Sequence, residues 1–250
     1  MSAKDLIVKP ISAQLAMELV KRVHYSGKVV NNSTLHLGVY YNGKLEGAMQ
    51  FGSPMDRRKS LTMVTGTLWN QMLELNRMAF GEALPRNSES RAMAVAFKMI
   101  RKHRPDIKWI LSFADATQCG DGAIYRASGF LLTKVGENKT LYLMPNGETV
   151  ANITLTKAQN LKKTGGASSM AHFVASGAEL VGGYQLRYIK FLDPTWLARL
   201  TVPVIPFDQI PDDARMYRGQ RASAPASQPV PPVVGGAAPT RTLQGSDHAA

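Results

Sequence analysis

The chain has 250 residues, 44% hydrophobic and 19% charged, which is enough for one large domain or two small ones around a sizeable core. Thirty Lys and Arg against 18 Asp and Glu give a formal net charge of +12, which excludes an acidic solvating protein and favours a polyanionic partner such as nucleic acid or a phosphorylated cofactor. The single cysteine, Cys119, excludes an intramolecular disulfide and a Cys-rich zinc or iron–sulfur site.

The opening MSAKDLIVKP has no apolar h-region of a signal peptide, and no later run reaches 18 apolar residues. A soluble protein of a reducing cytoplasm, with no membrane partner, is expected. Leu6 to Val8 reads as a short strand stopped by Pro10. Ser12 caps a helix to about Val23, with Leu15, Leu19, Val20 and Val23 as its apolar stripe. It runs out at His24-Tyr25-Ser26-Gly27, where Gly27 suits a left-handed terminator. Leu35 to Tyr41 and Lys44 to Phe51 read as strands, joined by the type I′ turn signal Asn42-Gly43. Arg57-Arg58-Lys59 falls in the loop after this hairpin. Residues 71–80 read as another strand. Ser88 then caps a second helix, from Glu89 to about His103, with Met93, Phe97 and Ile100 on its buried face.

Ile107 to Ala114 is a nearly continuous apolar run, the pattern of a strand buried on both faces. A Gly-rich turn, Cys119-Gly120-Asp121-Gly122, leads to a short helix near Ala123 to Ala127. Leu141 to Met144 and Tyr184 to Phe191 read as strands, and Asp193 to Trp196 as a turn. Residues 150–180 are polar and Gly-rich, and no element is assigned there. From Gly219 to Ala250 there are five Pro, four Gly, seven Ala and no aromatic residue, the composition of a disordered tail. The domain proper is therefore residues 1–218, and it carries almost all of the net charge. The element order predicts a mixed α/β fold, a central sheet with helices on both faces. Strand 71–80, helix 88–103 and strand 107–114 should form a right-handed βαβ unit.

Ligands in open α/β sheets bind beyond the carboxyl ends of strands. Two such ends carry chemistry here: Asn76-Arg77, which leads on to the Asn87–Arg91 helix start, and Ser112 to Asp115. The helix start offers backbone N–H groups, the hydroxyls of Ser88 and Ser90, and the charges of Arg77, Arg86 and Arg91. It reads either as a pyrophosphate cradle or as an ordinary capped helix with solvated arginines. Asp115 is either a turn cap or a group facing the cleft. Tyr125 either reaches that cleft or is a core residue with its hydroxyl at the rim. His24-Tyr25 offers a base, a metal ligand or a complement to the helix dipole, and with Asp115 it makes a set of one nitrogen and two oxygens. Basic clusters at Lys21-Arg22, Arg57-Arg58-Lys59, Lys98 with Arg101-Lys102, and Lys162-Lys163 suit a phosphate-backbone surface, with Tyr25, Tyr40, Tyr41 and Trp69 available for stacking.

Ala123-Ile124-Tyr125-Arg126-Ala127-Ser128-Gly129-Phe130 resembles the YxxxGF segment of the GNAT superfamily of acyl-CoA N-acyltransferases. Asn87-Ser88-Glu89-Ser90-Arg91 stands where that superfamily carries its Gly-rich pyrophosphate loop. A narrower resemblance is carried by an ordered set: His24-Tyr25, Leu75-Asn76-Arg77, Asn87 to Arg91, Leu111 to Asp115, and Gly122 with Ile124 to Ser128. It is similar to the Mom proteins of Mu-like phages over about residues 5–200. The resemblance implies a GNAT-like enzyme that converts adenine in DNA to N6-carbamoylmethyladenine and so blocks host restriction. It implies Asp115, Tyr125, Arg77 and Ser90 as catalytic residues. Asn87, Ser88, Ser90 and Arg91 would hold acetyl-CoA or a related donor. Tyr25, Arg57, Arg58 and Lys59 would meet DNA. Simple acetyl transfer cannot join N6 to a CH₂ group, so the same resemblance points to redox chemistry, with iron at His24, Tyr25 and Asp115. Two other readings stand beside it: an acetyl-CoA-dependent N-acetyltransferase acting on a small amine or protein, and a non-catalytic nucleic-acid-binding protein.

Overall fold

The computed structural model describes residues 2–116, 120–139, 141–147, 149–151, 174–175, 177–214, 216–217 and 220–221. Cys119 and His172 lie outside them, as do Lys162-Lys163 and the expected tail apart from Gln220–Arg221, which pairs with Met216–Tyr217. The elements in chain order are β1 (Ile7–Pro10), α1 (Ala13–Val23), β2 (Ser33–Tyr41), β3 (Lys44–Gly52), α2 (Arg57–Leu61), β4 (Met72–Phe80), α3 (Ser88–His103), β5 (Trp109–Asp115), α4 (Ala123–Ala127), β6 (Leu131–Glu137), β7 (Leu141–Leu143), β8 (Thr149–Ala151), β9 (Glu179–Leu180) and β10 (Tyr184–Phe191). A seven-stranded sheet runs β1-β2-β3-β4-β5-β10-β6, with a small sheet β8-β7-β9 beside it.

The sheet separates two layers because neighbouring strand residues point to opposite faces. In β3, Ala48 packs on Ala16 and Leu19 of α1, while the next residue, Met49, joins the cluster of Met93, Phe97 and Ile100 from α3. Helices therefore cover both faces, as expected. On the α1 face, Trp109, Leu111 and Ile189 make a second cluster with Met63, Val64 and Trp196. Ser12 accepts the N–H of Leu15 and caps α1, as the sequence predicts. Gly27 has φ +58, in the left-handed region, and its N–H reaches the carbonyl of His24 at 2.8 Å.

Several sequence expectations need correction. Arg57-Arg58-Lys59 is not loop but the start of α2, capped by Asp56, whose carboxylate accepts the N–H of Lys59. Ser88 does not cap α3. Asn87 does, at φ +67 and without a side-chain bond, while Ser88 is fully buried and donates its hydroxyl to Pro85. Strand β6 has no counterpart in the sequence reading. The expected strand at Tyr184 to Phe191 forms as β10, antiparallel between β5 and β6.

Two departures from regularity shape the middle of the sheet. Strands β4 and β5 are parallel, but only Met72–Glu74 pair with Trp109–Leu111. Beyond that rung β4 continues to Phe80 and β5 to Asp115 with no further pairing between them. The two strands diverge, leaving their carboxyl ends apart. Just before that end, β4 carries a bulge: Gln50 opposes Arg77, but Phe51 opposes Leu75. Asn76 is the extra residue, and bulges of this kind re-aim side chains.

Candidate active site

Two cavities stand out, and the larger lies at the diverging strands. The larger, about 940 Å³, opens on the α1 face. Its floor is built from strand ends: Asn76 and Arg77 of β4, Phe113 and Asp115 of β5, and Gln185 and Arg187 of β10. Register explains the meeting, since Asp115 opposes Gln185 and Phe113 opposes Arg187. Tyr25, Ser26 and Lys28 from the segment after α1 form one wall, and Lys59 and Ser60 of α2 form another.

The bulge fixes the β4 corner. Asn76 is buried and accepts the hydroxyl of Ser33 at 2.9 Å. Arg77 donates to the carbonyl of Lys28 at 3.0 Å and to that of Asn76 at 2.7 Å, tying the segment after α1 to the strand. His24 sits behind this wall. Burial first, and then the nearby charge of Arg77, hold its pKa down to about 4. The imidazole is neutral. Its Nδ1 accepts the backbone N–H of Ser26 at 3.2 Å, so the proton is on Nε2. The His24 ring lies 4.2 Å from that of Tyr25, which is half-exposed at the rim.

That geometry tests the expected metal set of His24, Tyr25 and Asp115. Tyr25 and Asp115 line the larger cleft, whereas His24 is set back behind its wall and does not line it. No three His, Cys, Asp or Glu converge on a metal site among the described residues. With His24 outside the cleft that holds Tyr25 and Asp115, the three do not fit iron as one site.

The smaller cavity, about 550 Å³, lies at the N-terminus of α3 and is lined by Ser2, Lys4, Arg86, Asn87, Ser90 and Arg91. Ser90 donates to the carbonyl of Asn87 at 3.2 Å, inside the first turn, where backbone N–H groups lack helical acceptors. Three cations and a positive helix end suit a phosphate. Two of the expected cradle residues are elsewhere: Ser88 faces the core, and Arg77 lines the larger cleft. Tyr125 lines neither cavity. It is a core residue, stacked on Tyr188 with 4.9 Å between ring centroids, and its hydroxyl approaches the carbonyl of Phe113 at 3.4 Å. Phe113 belongs to the larger cleft and Ala127, two residues past Tyr125, to the smaller, so Tyr125 stands between them.

Of the expected DNA contacts, Tyr25 and Lys59 line the cleft, while Arg57 and Arg58 are exposed on α2 outside it. Sequence reasoning missed Glu74, at the last β4–β5 rung and in the cleft wall. Burial pushes its carboxyl pKa up, against hydrogen bonds from Asn76 and the Met55 backbone and the charge of Arg77. The signal was available: alternation puts Glu74 on the same face as buried Met72. Arg187 was also missed. It donates to the hydroxyl and carbonyl of Thr133, each at 3.0 Å, and burial lowers its pKa.

The sequence model of the Mom protein family matches residues 5–209. The methylcarbamoylase mom of Escherichia phage Mu is 35% identical over 211 residues, 84% of this chain and 85% of that protein. Among solved structures, the ribosomal-protein-S18-alanine N-acetyltransferase of Escherichia coli has a TM-score of 0.44 at 10% identity, covering 75% of this chain and 94% of that one. The IAA acetyltransferase of Bacillus cereus has a TM-score of 0.42 at 9% identity, covering 74% of this chain and 99% of that one.

Proposed function

The chain belongs to the Mom protein family, and from that premise we propose that it is a transferase that modifies adenine in DNA, placing a carbamoylmethyl group on N6. The observation that carries this reading is the convergence in one cleft of motif residues far apart in sequence. Tyr25, Arg77 and Asp115 line a single cavity, and the basic helix α2 forms its wall. The phage Mu relative is named for methylcarbamoylation, the same chemical class.

Adenine N6 is a poor nucleophile, because its lone pair is delocalised into the ring, and in a duplex its Watson–Crick edge is hidden. The base must leave the stack at a cost of a few kcal/mol. Tyr25, exposed at the rim, offers a face on which the extruded base stacks. Arg77, anchored by two carbonyls, keeps that wall in place. In the balanced form of the reaction N6 attacks the α-carbon of the donor, the bond from that carbon to its leaving group breaks, and the Asp115 carboxylate on the cleft floor accepts the proton that N6 gives up; an ammonia source then displaces the CoA thiol from the acyl carbon to leave the carboxamide. The donor is of the acyl-CoA type, its phosphates held by Ser90, Arg86, Arg91 and Lys4 at the α3 N-terminus. Tyr125, in the core beneath, holds the floor at Phe113.

The test uses Asp115→Ala and Asp115→Asn. Both are expected to abolish adenine modification, read by nucleoside mass spectrometry, while duplex affinity stays within about twofold of wild type, since no phosphate contact is removed. Wild-type modification by either variant would remove Asp115 from the chemistry.

A further inference from the structure

The segment between α2 and β4 has an exposed apolar tip on a rigid base. Leu68 and Trp69 are 60% and 64% exposed, among the most exposed large hydrophobic residues described. Their turn is closed twice by Gln71: its N–H donates to the carbonyl of Leu68 at 2.9 Å, and its side-chain oxygen accepts the N–H of Leu68 at 2.9 Å. Below the tip the segment is nailed to the core. Val64 is fully buried and bridges to Leu200, and Thr67 accepts the indole N–H of buried Trp109 at 3.1 Å.

The tip is also ringed by cations. The Arg57 guanidinium lies 4.9 Å from the Trp69 ring centroid. Arg58 and Lys59 follow on the same helix, with Asp56 as its cap and the ion-pair partner of Lys59 at 3.4 Å. The carbonyl of Arg199 accepts the N–H of Thr65 at 2.8 Å, which brings an exposed arginine to the base of the segment. An aromatic held out by a stiff turn, with Arg57 over its ring and further basic residues on the same helix, suits a partner with phosphates outside and flat apolar faces within. Nucleic acid is such a partner. The tip is also next to the site: Arg57 touches Trp69, and Lys59, two residues on, lines the cleft.

We propose that the Leu68–Gln71 turn is a wedge that enters the base stack of duplex DNA beside the cleft, with Trp69 filling the gap left when adenine swings out. The proposal rests on the reading of the cleft as a DNA-modifying site. It assigns to Trp69 a function in opening the duplex, separate from the chemistry on N6.

The full chain reports on this directly. It has three tryptophans, and Trp109 and Trp196 are buried, so quenching of tryptophan emission by added DNA reports chiefly on Trp69. A short adenine-containing duplex is titrated in, with binding followed independently by the anisotropy of an end label. The expected result is quenching that saturates together with binding and is largely lost in Trp69→Phe. Trp69→Ala should weaken duplex binding about tenfold, the scale of one stacked base, and should weaken binding to a duplex with a mismatched, already unstacked adenine much less. Binding with no quenching overturns the wedge and leaves the DNA reading standing. No binding at all overturns both. The exposure of Trp69 makes loss of fold in these variants easy to exclude from the emission of the two buried tryptophans.

Discussion

His24 shows how one side chain supports the site without touching the substrate. Its ring backs Tyr25, and its Nδ1 organises Ser26. Because burial and Arg77 hold its pKa near 4 rather than 6.5, the fold favours the neutral ring. The sign comes from linkage. The unfolded chain binds a proton near pH 6.5 and the folded chain only near pH 4, so the stability His24 contributes is complete above 6.5 and is lost as pH falls towards 4. A ring-proton NMR titration should give a His24 midpoint near 4, and His24→Gln should flatten the acid limb of the stability curve. A midpoint near 6.5 would mean a solvated ring and a wall built some other way. Glu74 is the converse case: a carboxylate that reads as an ordinary polar strand position lies half-buried in the cleft wall, where hydrogen bonds from Asn76 and the Met55 backbone oppose the upward pull of burial on its pKa.

Helix α4 places Tyr125, and its start depends on one glycine. Gly122 has φ +77, and a Cβ there would stand 2.7 Å from the ring and hydroxyl of Tyr188. That hydroxyl donates to the carbonyl of Asp121, so the ring is held and has little room to yield. Gly122→Ala combines a left-handed backbone cost with overpacking, an expected loss of about 2–4 kcal/mol, read as a lower urea midpoint. An unchanged midpoint would show that Tyr188 moves freely. The elements with strong local signals were legible in the sequence: α1 from its cap and stripe, the β2–β3 hairpin from Asn42-Gly43, and β5 from its apolar run. Those whose character comes from neighbours were not. Helix α2 has five residues, too few to show a period, and its basic start reads as loop. Strand β6, Leu131–Glu137, mixes Lys134 and Gly136 into an irregular pattern, and it is strand only through pairing with β10, itself broken by a register shift at Thr133. The bulge at Asn76 has no local signature, yet it turns Arg77 into the cleft.

At the scale of the whole molecule, the charge excess and the ordered motifs pointed to a polyanion and to two strand segments, and Asn76-Arg77 of the first and Phe113 and Asp115 of the second line one cleft. What the sequence could not say is that the α3 helix start lines a separate cavity. Arg77 and Asp115 belong to the larger cleft, into which β4 and β5 part after Glu74 and Leu111, and Ser90 and Arg91 to the smaller one. Nor could it show that β10 inserts beside β5 and so supplies Arg187 to the floor. A cleft at a parted sheet, rimmed by an aromatic and a basic helix, suits a base drawn out of DNA, and the basic cavity at the α3 start suits a phosphorylated donor. Nucleoside mass spectrometry on total DNA from cells expressing the full chain tests this most directly. An adenosine heavier by one carbamoylmethyl group, absent from cells expressing Asp115→Ala, is the predicted result. Unmodified adenosine alongside folded protein that consumes acetyl-CoA without DNA would contradict it.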